Sequence, residues 1–327
     1  MAKSTEFIIV AGKLGSGKTS LIEALLLSGN VGNATAVIVN EASAIDIDGA
    51  VLTESARGVP LAKLSNGCVC CSLTDDLVIT VEELVTDRSN SGLPPFERIV
   101  LECSGLSLPG QVIGSLSPLS KLGLRVRVIT TFDCAIPPLA GEDFETVSAQ
   151  LAAAQTIVLT KIDQVGLDVR QQAEREAKAI NPLATIVSEQ SPIIRARVTF
   201  KDVGSGVQLS LPIEAEIPRV KRALLHPRVR VLRAKFDGVA EWDDVLDWLE
   251  NVSGALGERL LRMKAIVLGP LGEDRVLLQS VGTTFSAPRR LTANAVSDLA
   301  AIFIVRDCNI DDIEGVPSAC KLNWTAL

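Results

Sequence analysis

Residues 12–19 read Gly-Lys-Leu-Gly-Ser-Gly-Lys-Thr, a G-x-x-x-x-G-K-S/T segment, and few stretches of eight residues constrain a fold as tightly. An apolar run, Phe7–Val10, precedes it and reads as a first strand; a helical pattern, Lys18–Leu27, follows it. In that setting Gly12, Gly15 and Gly17 allow the backbone to wrap closely around phosphates. The loop N–H groups and the helix N-terminus supply partial positive charge to the anion. Lys18 is expected at the β- and γ-phosphates and the Thr19 hydroxyl at Mg²⁺, with Ser16 and Ser20 completing the phosphate-side set. The segment implies a nucleoside triphosphate site but does not say which nucleotide.

The residues around the loop supply the fold class. Ala36–Asn40, Arg98–Glu102, Leu124–Phe132 and Thr156–Thr160 are further Val-, Ile- and Leu-rich runs without clean polar alternation. Strands covered on both faces read this way. Helical patterns at Asp75–Asp87 and Val169–Ile180 lie between them. Strand–helix alternation predicts an α/β fold of the P-loop NTPase kind, a doubly wound, mostly parallel sheet. Between about Thr199 and Pro218 the chain changes character, and the stretch KDVGSGVQLSLPIEAEIP, with Gly, Ser and Pro punctuation, reads as a linker or the last irregular part of the first domain. Beyond it, Val229–Phe236, Leu260–Leu268, Arg275–Ser280 and Ile302–Arg306 read as strands and Trp242–Leu249 as an amphipathic helix. The expected division is a nucleotide-binding domain over 1–205 and a smaller C-terminal α+β domain over 219–327.

Composition narrows the function classes. A net charge of −7 argues against nucleic acid as partner, because a phosphate backbone needs a basic face. No apolar run approaches the roughly 18–20 residues of a membrane span. The short apolar run at Phe7–Val10 is not a signal peptide, so a cytoplasmic protein is expected, with its seven cysteines as thiols. The sequence is compatible with a homodimer.

Two further segments bear on the nucleotide. Residues 156–163, Thr-Ile-Val-Leu-Thr-Lys-Ile-Asp, end an apolar strand in Thr160-Lys161-Ile162-Asp163, which resembles the N/T-K-x-D element of GTPases. Guanine presents adjacent N1–H and N2–H₂ donors that one carboxylate, Asp163, accepts together; adenine has no such pair. The stem of Lys161 can lie across the base. Residues 98–105, Arg-Ile-Val-Leu-Glu-Cys-Ser-Gly, again end an apolar strand in an acid. Glu102 would hold the Mg²⁺ shell or orient the attacking water, and the Gly105 N–H would approach the γ-phosphate.

Three of the seven cysteines fall within four positions, Cys68, Cys70 and Cys71. Thiolates are soft ligands suited to Zn²⁺, Co²⁺ or Cu⁺. Three sulfurs leave a tetrahedral ion one ligand short, a place that Glu41, a water or a client protein's side chain could take. Such a shell suits transfer better than permanent structure. A reversible redox switch and simple core packing are the competing uses of the cluster. The single histidine, His226, precedes Pro227 and reads as an ordinary surface or packing residue.

Taken together, GKLGSGKTSL, VIVNEASAIDID, LSNGCVCCSLTDDL, IVLECSGLSLP and IVLTKIDQV, in that order, resemble the CobW-like (cobalamin-synthesis-protein-type) metallochaperone GTPases. LLRMKAIVL and VLLQSVG are similar to that family's second domain. The resemblance implies that Thr160, Lys161 and Asp163 read guanine and that Glu41 and Asp48 lie in a switch segment. It also implies metal at Cys68, Cys70 and Cys71, Mg²⁺ at Thr19 and Glu102, and catalysis by Lys18 and Glu102. The function implied is hydrolysis of GTP coupled to delivery of Zn²⁺ or Co²⁺ to a client metalloprotein. A redox-sensing regulatory GTPase and a P-loop small-molecule kinase are the alternatives. The chain departs from the family at Lys13 and Ser16, at Cys103 where Thr is common, in TKID for NKxD, and in NEASAIDID, which lacks the usual glycines.

Overall fold

The computed structural model describes residues 4–28, 34–40, 59–64, 73–136, 143–201, 227–238, 240–272, 274–291 and 299–327. Glu41, Asp48, Cys68, Cys70, Cys71 and His226 lie outside the described residues. The chain divides into two compact units: Met1–Glu174 with Ala184–Asp202, and Arg175–Leu183 with Val203–Leu327.

The first unit is built on β1 (Glu6–Ala11), β2 (Thr35–Asn40), β3 (Leu61–Leu64), β4 (Arg98–Glu102), β5 (Arg125–Asp133), β6 (Thr156–Thr160) and β7 (Thr185–Val187). Its helices are α1 (Lys18–Leu27), α2 (Leu73–Asn90), α3 (Pro109–Ser115), α4 (Phe144–Ala153), α5 (Leu167–Ile180) and α6 (Pro192–Thr199). The strands pair in the order β3-β2-β4-β1-β5-β6-β7, and every pairing is parallel. This is the doubly wound sheet expected from the unbroken apolar strands. Residues of β1, β4 and β6 are almost all fully buried because helices cover both faces. One core gathers Ile8, Val10, Val37, Val100, Ile129 and Val158 under Leu21, Ile22 and Leu25 of α1 and Ala196 of α6.

The order reverses at β1: the chain moves outward to β2 on one side and later to β5 on the other. In parallel sheets, ligands bind beyond the carboxyl ends of the strands at such a reversal. The glycine loop leaves β1 at that point.

Of the stretch from Lys201 to Pro218, residues 202–218 lie outside the described residues. Thr199 ends α6, and Phe200 is buried beside it. Arg127 donates to Thr199 O at 3.2 Å and Arg98 to Phe200 O at 3.1 Å. Two arginines thus fasten this end of the segment to the sheet. A buried pair, Glu6 with Arg127 at 3.0 Å, joins β1 to β5 at the same end of the strands.

The second unit is an antiparallel sheet of β8 (Val229–Phe236), β9 (Leu260–Leu268), β10 (Arg275–Val281), β11 (Thr284–Phe285), β12 (Arg289–Leu291), β13 (Ala300–Arg306) and β14 (Leu322–Ala326). The order is β11-β10-β9-β13-β8-β14, with β12 also on β10. Helix α7 (Trp242–Leu256) covers one face and α8 (Ile310–Glu314) follows β13. Val245, Trp248, Leu249, Val252 and Leu256 of α7 recur at helical spacing and pack on Leu232, Ala234, Met263, Ala265, Ala301 and Phe303. Trp248 stands edge-on to Phe236 and to Phe303, each with ring centroids 5.8 Å apart. Strand alternation turns the intervening Arg233, Arg262 and Lys264 to the opposite face, and all three are buried.

Candidate functional site

The loop from Gly12 to Gly17 is held open by backbone geometry that side chains resist. Gly12, Gly15 and Gly17 have φ of 140°, 75° and 87°. At Gly12 the constraint is also steric, since a Cβ there would sit 2.3 Å from Thr131 Oγ1. The loop closes with Ser16 N–H donating to Lys13 O at 3.1 Å. Ser16 Oγ lies 2.6 Å from Thr131 Oγ1, tying the loop to β5.

Lys18 is buried, and its ammonium donates to Gly12 O at 2.9 Å and Lys13 O at 3.1 Å. The charge therefore sits inside the arc of the loop. Thr19, on the first turn of α1, donates its hydroxyl to Glu102 Oε1 at 2.6 Å. Glu102 reaches it because β4 lies between β1 and β2, with Glu102 level with Val10 and Val39. Cys103 follows, with its N–H donating to Val10 O at 3.0 Å. Burial pushes the Cys103 thiol up to about 12, which the nearby Lys18 charge opposes and Glu102 reinforces. A neutral thiol stands where Thr is common, beside the lysine and the carboxylate.

Gly105 lies against the loop as the sequence required. A Cβ at position 105 would sit 2.4 Å from Leu14 N. Gln150 of α4 donates to Gly105 O and to Ser107 O, both at 3.0 Å, and so pins the segment from behind. Ser20 is exposed on the first turn of α1.

Thr160, Lys161 and Asp163 occupy the turn after β6, closed by Gln164 N–H donating to Lys161 O at 3.0 Å. Thr160 Oγ1 lies 2.8 Å from Ser16 O and 3.2 Å from Phe132 O, so its single proton serves the nearer carbonyl. This bond joins the turn directly to the phosphate loop. Lys161 adopts a φ of 52°, unusual without glycine, and its ammonium meets Asp133 Oδ2 at 2.6 Å. Asp133 is buried and also accepts from the Ala135 N–H at 2.8 Å. Asp163 is exposed at the tip of the turn.

The structure thus gathers Gly12, Gly15, Ser16, Gly17, Lys18, Thr19, Glu102 and Gly105 at one point and links Thr160, Lys161 and Asp163 to it through Ser16. Asp133 was not among the sequence candidates. Its signal was present: like Glu102, it is the acid that ends a largely buried strand. Among the described residues no three His, Cys, Asp or Glu side chains gather as a metal site. Cys103, Cys134 and Cys308 are buried free thiols and Cys320 a half-buried one. Among those residues no helix is long and apolar enough to cross a membrane.

Known proteins align with both units. The family model described as CobW/HypB/UreG, nucleotide-binding domain, matches residues 6–188. The model of the cobalamin synthesis protein cobW C-terminal domain matches residues 229–321. The chain is 26% identical over 295 residues to the zinc chaperone YjiA of Escherichia coli, covering 85% of this chain and 86% of that one. It is 28% identical over 317 residues to the zinc chaperone CobW of Pseudomonas aeruginosa, covering 85% and 80%. The crystal structure of Zn(II)-bound YjiA GTPase from E. coli superposes with a TM-score of 0.65 at 19% identity, over 97% of this chain and 100% of that one.

Proposed function

Because this chain belongs to the CobW/HypB/UreG family of nucleotide-binding proteins, we propose that it hydrolyses GTP and couples the nucleotide to the capture and delivery of Zn²⁺. The observation that carries the nucleotide half is the joint placement of Lys18 inside the glycine loop and of Thr19 against Glu102. A cation surrounded by loop carbonyls is positioned for the β- and γ-phosphates, which replace those carbonyls as its partners. A hydroxyl and a carboxylate oxygen 2.6 Å apart form a hard-oxygen donor pair that fits Mg²⁺. When bound, that ion supplies neutralisation of the charge developing on the phosphates. Glu102 holds the Thr19 hydroxyl and is placed to orient the attacking water. Gly105 offers its N–H beside Leu14. These roles are positioning and electrostatics, so intrinsic turnover is slow.

Guanine rests on Asp163, the carboxylate in an exposed turn that Thr160 fastens to the phosphate loop. The metal half rests on Cys68, Cys70 and Cys71 with Glu41, on the family, and on relatives named as zinc chaperones. Zn²⁺ is the cargo, with Co²⁺ its chemical competitor at thiolates; a client metalloprotein is the acceptor. Asp48 belongs to the switch segment that would transmit the state of the γ-phosphate.

The test is a competitive Zn²⁺ and Co²⁺ titration with and without Mg²⁺ and a non-hydrolysable GTP analogue, repeated on Cys70→Ser. Tight, thiol-dependent binding that strengthens with the analogue and is lost in C70S is expected. Equal metal affinity in all samples overturns the metal half, and hydrolysis of ATP in preference to GTP overturns the guanine half.

A further inference from the structure

The base-reading turn is clamped by an arginine that lies far from it in sequence. The β6–β7 ladder is short: it pairs Thr156 with Thr185, Ile157 with Ile186 and Val158 with Val187, and stops. Leu159, Thr160 and the turn carrying Asp163 extend beyond it on one side, and the Ser188–Gln190 loop extends beyond it on the other. No backbone pairing fixes the gap between them past that point, yet a base edge inserted there must meet a carboxylate at a spacing that tolerates only tenths of an ångström.

Arg195, on the first turn of α6, bridges that gap. Its Nη1 donates to Leu159 O at 3.3 Å and its Nη2 to Gln190 O at 3.0 Å. The residue is 8% exposed, and burial lowers its pKa from the ordinary 12.5, a shift that the Asp163 charge opposes. The helix start is set for this by Pro192 and by the Ser191 cap, whose Oγ accepts from Ile194 N–H at 3.4 Å. From there the guanidinium folds back across its own first turn. At the other end of the same loop, Arg170 of α5 donates to Ser188 O at 2.5 Å and Ser188 Oγ at 2.9 Å. One rigid, planar, permanently charged fork takes the place of the missing ladder rung; a lysine, with one flexible head, would hold one carbonyl at a time.

We infer that Arg195 is a positioning residue for base selection: by tying Leu159 to Gln190 it sets the spacing between the Asp163 turn and the Ser188–Gln190 loop, and hence the guanine preference. The inference rests on the reading of Asp163 as the carboxylate that accepts from guanine N1–H and N2–H₂. Inosine lacks the N2 amine and forfeits one of those two bonds, so selection between GDP and IDP reports the alignment of Asp163 directly. Selection between GDP and ADP reports the reading itself.

The experiment measures affinities for GDP, IDP and ADP by competition against a fluorescent GDP on the full-length protein, with kcat and KM for GTP and a thermal melt on each variant. The parent is expected to favour GDP over IDP by about tenfold or more, the worth of one hydrogen bond to a charged group. Asp163→Asn should abolish that preference. Arg195→Met should narrow it to about twofold and raise KM for GTP about tenfold with kcat nearly unchanged, and Arg195→Lys should fall between. Arg98→Met, which removes a comparable tie at the opposite, amino-terminal end of the strands, should lower the melting temperature without altering the GDP-to-IDP ratio. If R195M and R195K keep the parent ratio while D163N loses it, Arg195 is a structural clamp only and the inference is overturned. If the parent shows no preference for GDP over ADP, or D163N leaves the preference intact, the guanine reading fails and the inference with it. R195K keeps the charge and one bond, so the test stands even where R195M does not fold.

Discussion

At the residue scale, Gly105 shows how closely the two phosphate-side segments approach. Any side chain there drives a Cβ to 2.4 Å from Leu14 N and 2.9 Å from Leu14 Cα. Gln150 holds the segment from behind, so it cannot simply retreat. Gly105→Ala is therefore expected to displace the phosphate loop rather than unfold the protein. An ångström of misplacement costs about 100-fold in rate, which phosphate release under saturating GTP would measure beside an unchanged melting temperature. The glycine, Lys18, Thr19, Glu102 and Asp163 were legible in the sequence because each sits at a fixed offset from an apolar strand. Asp133 ends a strand as Glu102 does but was not singled out, and nothing in the sequence marked Arg195. Asp133 matters through Lys161, whose partner no spacing rule names, and Arg195 acts through carbonyls of Leu159 and Gln190, which any residue could have supplied.

At the element scale, most strands follow from the sequence as unbroken apolar runs and α1, α2, α5 and α7 from helical patterns, whereas the ten-residue α4 was not read. β3, β7, α6 and α8 are each eight residues or fewer and carry too little periodicity to be read. What fastens the end of α6 was not legible for a related reason: Thr199 and Phe200 are held by Arg127 and Arg98, contacts made across more than 70 positions. The C-terminal sheet carries an expensive element. Lys264 pairs in register with Gln279 and Ile302 and is buried. Burial, then the Arg262 and Arg289 charges, push its ammonium well below the ordinary 10.5. The unfolded chain consequently binds a proton at this position over a pH range where the folded chain does not. Stability then rises with pH through that range up to about 10.5, so Lys264 costs more at neutral pH than at pH 10. Lys264→Met should raise stability at neutral pH by roughly 1–3 kcal/mol, as removal of a buried charge does, and flatten the dependence. Denaturant melts of both proteins from pH 7 to 10 check it. The buried thiols Cys103, Cys134 and Cys308, held up at about 12, 11 and 11, act in the opposite sense above pH 9, but they are common to both proteins and cancel in the difference. A gap that does not close as pH rises would rule the explanation out.

At the scale of the whole molecule, the proposed coupling between nucleotide and metal is a thermodynamic linkage and so has two sides. If the γ-phosphate strengthens metal binding at Cys68, Cys70 and Cys71 by some factor, metal must strengthen binding of the GTP analogue by the same factor. The distribution of thiols allows both sides to be read in one sample. Cys103, Cys134 and Cys308 are buried and fully protonated near neutral pH, so a maleimide at pH 7 should leave them unmodified in the native protein. Cys320 is half-buried and its thiol is also held up, chiefly by burial, so it should react slowly. Rapid labelling is then expected only at the three clustered cysteines, and Zn²⁺ should suppress it. Peptide mapping of the labelled chain identifies the sites, and the Zn²⁺ concentration for half-protection gives the metal affinity with and without the analogue. A parallel titration of the fluorescent analogue with and without Zn²⁺ gives the other side. Two equal factors above one establish the coupling, by whatever route, despite the missing glycines of NEASAIDID. Two factors of one mean that the nucleotide site and the thiols work independently, and a chaperone cycle driven by hydrolysis is then excluded.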